Sequence, residues 1–143
     1  MSTDSPGAGQ PIERTKERTI LLLDDDAATL LVLHALLERT DARVLECEDE
    51  ACAVRHCTEF SNGIDLLVAD VVLDGSNGPA VVRRVRPLQP LMRLLYISGF
   101  SLPELRRRGL LSDGDMAPGA IEFLQKPFSP EQFLTRVKRL LVN

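Results

Sequence analysis

Short apolar runs alternate along the chain with longer stretches whose apolar residues recur every three or four positions. Strands are expected at Ile20 to Leu23, Arg43 to Glu46, Asp65 to Ala69, Leu94 to Ile97 and Ala120 to Leu124. The first, third and fourth (LLL, LLVA, LLYI) are apolar throughout, as strands covered on both faces must be. Between the first two, Ala27 to Arg39 sets Leu30, Leu31, Val32, Leu33 and Leu37 on a broad helical stripe, with Asp26 available as N-cap. A second helix is expected from Glu50 to Phe60. A third starts at Gly78-Pro79, where proline suits the first turn, and stops before Pro87. Leu102 to Arg108 forms a shorter fourth helix. The last has the clearest start: Ser129 as N-cap, Pro130 at the first position and Gln132 three residues after the cap make a capping box. Phe133, Leu134, Val137, Leu140 and Leu141 then follow at helical spacing.

Strict alternation of strand and helix over residues 19 to 143, joined by right-handed crossovers, predicts a three-layer α/β sandwich. Residues 1 to 17, rich in Ser, Pro, Gly and charge, read as a mobile tail before a single domain at 18 to 143.

Composition narrows the class. With 44% hydrophobic and 27% charged residues among 143, the chain matches an ordinary globular domain. Its 17 Lys+Arg against 21 Asp+Glu give a net charge of −4, which argues against nucleic acid as the main ligand. No apolar run approaches the roughly 20 residues needed to cross a bilayer. Met1 to Gln10 has neither the basic nor the apolar region of a secretory signal, so a cytoplasmic location is expected. In such a reducing compartment Cys47, Cys52 and Cys57 read first as core thiols. A helix would also bring Cys52 and His56 onto one face near Cys57; a soft-metal site there needs a fourth ligand for tetrahedral closure.

In open α/β sheets ligands bind outside the carboxyl ends of the strands. Asp24, Asp25 and Asp26 follow the first strand, Asp70 the third, Ser98 the fourth and Lys126 the fifth. Carboxylates gathered in one crevice repel one another, and a hard cation such as Mg²⁺, which takes oxygen ligands, relieves the repulsion. A hydroxyl and an ammonium opposite them supply what a transferred phosphoryl group needs, with an aspartate as nucleophile. The chemistry implied is an aspartyl phosphate.

The stretches ILLLDDD (20 to 26), LLVADVVLDGSNG (66 to 78), LLYISGF (94 to 100) and FLQKPF (123 to 128) resemble, in this order, the receiver domains of two-component response regulators. The wording LLYISGF and SPEQFL is most similar to the receivers at the C-terminus of hybrid histidine kinases. The resemblance implies a flavodoxin-like, doubly wound, five-stranded parallel sheet of order 2-1-3-4-5 with five helices. It makes Asp70 the phospho-acceptor and Asp25 a direct ligand of Mg²⁺ (or Mn²⁺), with Asp24 acting through water and the backbone carbonyl of Val72 completing the protein ligands. Lys126 would hold the carboxylate and then the phosphoryl oxygens, before a cis bond to Pro127. Ser98 would bond a phosphoryl oxygen, Phe123 would be the aromatic switch that turns with the Ser98 loop, and Gly78 would end the phosphorylation loop. Such a module is not an enzyme in its own right beyond self-phosphorylation from small donors and slow autodephosphorylation. It takes phosphate from a histidine kinase or histidine phosphotransfer protein and signals through protein contacts, here a downstream partner or homodimer using about residues 101 to 143, with no nucleic acid or membrane involved.

The chain departs from the family in places. Leu73-Asp74 replaces the usual Met-Pro, which is expected to loosen the turn and adds a carboxylate. Phe123 lacks the hydroxyl of a Tyr switch; Tyr96 could substitute, although core packing is the simpler reading. Residues 109 to 119 lengthen the path to the last strand. Phe100 and Val72, two residues after Ser98 and Asp70, lie where an attacking water would approach in this family, which predicts slow autodephosphorylation. Arg83, Arg84, Arg86, Arg93 and Arg106 to Arg108 suggest a basic patch, with solvated helix faces the commoner meaning. Two alternatives remain: a receiver-like interaction module that takes no phosphate, and a haloacid-dehalogenase-like phosphohydrolase. The second needs Asp-x-Asp followed by Gly-Thr, whereas Asp24-Asp25-Asp26 is followed by Ala27-Ala28.

Overall fold

The computed structural model describes residues 17–60, 63–116 and 121–142. Almost all of the expected tail, and Ala120 of the last expected strand, lie outside the described residues. The elements follow in order: β1 (Thr19–Leu23), α1 (Ala27–Leu37), β2 (Arg43–Cys47), α2 (Glu50–Glu59), β3 (Leu66–Asp70), the two short strands β4 (Val72–Leu73) and β5 (Ser76–Asn77), α3 (Gly78–Val85), β6 (Arg93–Ser98), α4 (Leu102–Arg107), β7 (Ile121–Gln125) and α5 (Pro130–Leu141). Single 3₁₀ turns follow α3 (Arg86–Leu88) and α4 (Asp113–Met116). The main sheet is parallel, in order β2-β1-β3-β6-β7. This is the expected doubly wound order, renumbered because the hairpin β4–β5 adds two strands that the apolar pattern does not reveal.

The strands apolar throughout occupy the middle of the sheet. β1 and β3 are buried at every position and β6 at all but its first residue, whereas the mixed strands β2 and β7 form the edges. Alternate side chains feed two cores. Leu21, Leu67, Ala69, Leu94 and Tyr96 pack with α2, α3 and α4 on one face. Ile20, Leu22, Leu66, Val68, Leu95 and Ile97 pack with Leu30, Leu33 and Leu37 of α1 and Phe133, Leu134, Val137 and Leu140 of α5 on the other. The broad stripe expected on α1 is narrower: Leu31 is 71% and Val32 58% exposed. At about 100° per residue, Leu30, Leu33 and Leu37 fall within one narrow sector, and Leu31 and Val32 fall outside it.

Local signals account for the helix ends. Ser129 Oγ accepts from the Gln132 N–H at 3.1 Å while Gln132 Oε1 accepts from the Ser129 N–H at 2.8 Å, the reciprocal pair of a capping box. Asn77 caps α3 by accepting from the Ala80 N–H at 2.9 Å, and Asp49 caps α2 from the Cys52 N–H at 2.9 Å. Asp26 sits at the N-cap position of α1, where its main-chain carbonyl accepts from the Leu30 N–H at 3.1 Å and its carboxylate takes the Thr29 hydroxyl at 2.7 Å. At the far end of α2, the buried side chain of Gln89 donates to the carbonyls of Cys57 (3.0 Å) and Phe60 (2.6 Å) and accepts from the Ile64 N–H (3.4 Å).

The suggested basic patch is a set of internal pairs. Arg83 bonds Asp115, Arg84 bonds Glu50, Arg106 meets Asp113, and Arg107 and Arg108 share Glu104. Arg86 and Arg93 donate to the carbonyls of Met92 and Leu140. The guanidiniums are therefore engaged within the fold.

Candidate functional site

The parallel sheet delivers Asp24, Asp70, Ser98 and Lys126 to one rim, because each stands at or just beyond the carboxyl end of its strand. Asp70 is buried, at 8% exposure, and both of its oxygens are held. Oδ1 accepts from the Val72 N–H at 3.0 Å and Oδ2 from Lys126 Nζ at 3.1 Å. The carboxylate plane is thereby fixed between a backbone donor and an ammonium. Lys126 Nζ also lies 3.9 Å from Asp24 Oδ2. The Lys126 N–H donates to the Ser98 carbonyl at 2.7 Å, and the bond to Pro127 is cis, as expected.

Asp24 is almost wholly enclosed. Its Oδ1 accepts from the Asp26 N–H at 2.9 Å, whereas Oδ2 is buried with no hydrogen-bond partner. Burial pushes its carboxyl up to about 6, and the neighbouring charge of Asp70 adds to the rise. Asp25 faces solvent. Asp24 and Asp70 share Lys126 Nζ between them, and this oxygen-only pair with one orphaned buried carboxylate oxygen suits a hard cation, which would satisfy that oxygen and neutralise the crevice. The residues present fit Mg²⁺ or Mn²⁺.

Ser98 is fully buried and its Oγ accepts from the Phe100 N–H at 3.1 Å, which leaves the hydroxyl hydrogen free to donate elsewhere. Gly78 serves the site by absence of bulk. A Cβ there would stand 2.4 Å from the Asp70 carbonyl oxygen, and the Gly78 N–H donates to the Val71 carbonyl at 2.9 Å. Only glycine lets the start of α3 approach the end of β3 this closely. Phe123, midway along β7, is half-buried against the α2–α4 core, with its carbonyl bonded by Arg136 of α5 at 2.6 Å. Tyr96 is 1% exposed and its hydroxyl is buried without a partner, so it is a core residue and supplies no surface hydroxyl.

The loop after β3 differs from expectation. It folds as the β4–β5 hairpin, turning through Gly75 at a φ of 71°, a left-handed conformation suited to glycine. Asp74 does not loosen it. Its backbone N–H donates to Asp25 Oδ2 at 2.5 Å, a bond that proline at this position could not make. Sequence pattern could not find this clasp, since its donor is a main-chain group brought across 49 residues.

A family model described as the response regulator receiver domain matches residues 20–138. The chain belongs to that family. Receiver domains are phospho-acceptor modules of two-component signalling, and they interact with histidine kinases and phosphotransfer proteins. The chain is 29% identical over 123 residues to the sensor kinase CckA of Brucella abortus, covering 86% of this chain and 12% of the kinase. It is 26% identical over 125 residues to the response regulator receiver protein CpdR of the same organism, covering 87% of this chain and 98% of CpdR. The crystal structure of the receiver domain from the hybrid histidine kinase CckA superposes with a TM-score of 0.70 at 28% identity, over 86% of this chain and 98% of that one. The expected likeness to hybrid-kinase receivers is thus met, and the phosphohydrolase alternative gives way to the receiver family. Among the described residues, no helix is long and apolar enough to cross a membrane.

Proposed function

We propose that this receiver is a phosphorelay switch in which Asp70 accepts a phosphoryl group from a histidine kinase or histidine phosphotransfer protein in the cytoplasm. The observation that carries the reading is the double clamp on Asp70 by the Val72 N–H and Lys126 Nζ beside the buried Asp24. An Asp70 carboxylate oxygen forms a bond to phosphorus as the bond from phosphorus to the donor's imidazole nitrogen breaks, and the leaving imidazole keeps the nitrogen electron pair. Lys126 turns from the carboxylate to the phosphoryl oxygens, and the free Ser98 hydroxyl hydrogen meets another of them. Asp24, Asp25, Asp70 and the Val72 carbonyl would hold Mg²⁺ or Mn²⁺. Bound there, the ion neutralises the carboxylates and the phosphoryl oxygens.

Engagement of Ser98 draws its loop inward, and half-buried Phe123 turns into the space this leaves. The altered surface is read by a downstream protein or a second copy through about residues 101 to 143. The donor docks against α1, where Leu31 and Val32, midway along the helix, are exposed and offer an apolar contact.

The test is intact-mass measurement after incubation with acetyl phosphate. A metal-dependent gain of one phosphate is expected, absent in Asp70→Asn and without added Mg²⁺. No gain in the wild type would favour a phosphate-independent interaction module.

A further inference from the structure

A second ligand set stands at the neighbouring strand end. Cys47 is the last residue of β2, and Cys52 and His56 lie one turn apart on α2. Two Sγ atoms and a ring nitrogen from these residues lie within 4.8 Å of one another. All three cysteines of the chain are free thiols. Cys47 is 1% exposed, and Cys52 and His56 are half-buried, so the group opens to solvent on one side.

The imidazole supplies an independent sign. Nδ1 of His56 is buried with no hydrogen-bond partner. In the neutral tautomer that carries its hydrogen on Nε2, Nδ1 is a lone pair facing the protein with nothing to accept. Buried histidine nitrogens ordinarily find a donor or acceptor. The Cys52 thiol is bonded to the Glu46 carbonyl at 3.6 Å and to the Cys47 thiol beside it, contacts that a ligating sulfur can give up.

We propose that Cys47, Cys52 and His56 bind a soft, thiophilic metal ion of the Zn²⁺ or Cu⁺ kind. Thiolate and imidazole select these ions, while Mg²⁺ prefers the oxygens of the Asp70 crevice. Three donors suit trigonal Cu⁺, or Zn²⁺ with water in the fourth position. On binding, each thiol gives its proton to solvent as a metal–sulfur bond forms, and His56 donates its lone pair without losing a proton. No oxidant or reductant is needed.

The site stands one hydrogen bond from the acidic crevice, since the Cys47 carbonyl accepts from the Asp24 N–H at 3.0 Å. The test therefore uses the full reduced chain with Mg²⁺ in excess. Zn²⁺ is titrated against a chromophoric chelator, and Cu⁺ against a Cu⁺-specific one. One equivalent is expected, with affinity at least tenfold weaker in Cys52→Ser and in His56→Gln and unchanged in Asp25→Asn. Equal affinity in the first two variants overturns the proposal, and so does loss in Asp25→Asn, which would assign the ion to the carboxylates. Co²⁺ gives a readout that requires no substitution. A thiolate-to-metal charge-transfer band is expected on its addition to the wild type, and binding without that band counts against sulfur ligation.

Discussion

On one rim of the sheet, the hard oxygens of Asp24 and Asp70 meet at Lys126 beyond the ends of β1 and β3, and soft sulfur and nitrogen gather at the end of β2. The two groups are held differently. In the crevice Asp70 is pinned by two donors, Asp25 by the Asp74 N–H and Ser98 Oγ by the Phe100 N–H, and Asp24 Oδ2 is left unsatisfied. In the thiol corner Cys52 makes contacts that it can give up, and His56 Nδ1 is unsatisfied. A group that holds a reacting carboxylate must fix its orientation before the reaction. A group that only takes up an ion can leave its ligands to be organised by the ion.

Three substitutions separate the two further. The largest effect is expected from Gly78→Ala, whose methyl would collide with the Asp70 carbonyl oxygen. Stability should fall by about 2 to 3 kcal/mol, as for an overpacked core, with a lower urea midpoint and weaker acetyl phosphate labelling. Zn²⁺ uptake by the thiol corner should persist; an unchanged midpoint would mean that α3 can shift without disturbing β3. Next is Lys126→Met, which leaves Asp24 and Asp70 without their cation. Because Lys126 is partly exposed and screened, a loss of about 1 kcal/mol is expected without Mg²⁺. Melting curves should show Mg²⁺ stabilising this variant more than the wild type, whereas equal stabilisation would mean that the ammonium does not compete with the ion.

The smallest effect concerns the phosphorylated state. Phe100 is 37% exposed, with the Arg108 guanidinium 4.3 Å above its ring, and Val72, two residues after Asp70, is 38% exposed. If these side chains hinder water, Phe100→Ala should shorten the phosphoryl lifetime about fivefold, a barrier change of about 1 kcal/mol. A lifetime of seconds in the wild type, unchanged in the variant, would remove that role from Phe100.

The sequence disclosed most of what depends on local periodicity. Uniformly apolar strands lie in the middle of a covered sheet because both faces need the same chemistry, and Ser129 with Gln132 announces α5 because a capping box is complete within four residues. The crevice was legible from Asp24, Asp70, Ser98 and Lys126, since strand ends in a parallel sheet must converge. Long-range, main-chain and angular effects were not. The Asp74 clasp involves a backbone donor, the Arg83 and Arg84 pairs join helices remote in sequence, and Leu31 and Val32 differ from their buried neighbours only by rotation about the α1 axis. Spacing brought Cys52 and His56 together, but Cys47 joined them only once β2 was aligned beside α2.

Gln89 bears on how the molecule breathes. Helix α2 fully buries Ala53 and Cys57 and packs Cys52 and Val54 half-buried beside them, a modest apolar area to resist its detachment. Its last carbonyls are held by the amide of Gln89, which follows α3. The helix can therefore lift only if the exit of α3 releases it. Amide hydrogens of both segments then exchange in one shared opening event, and the edge of the sheet beneath α2 is uncovered on the timescale of that event.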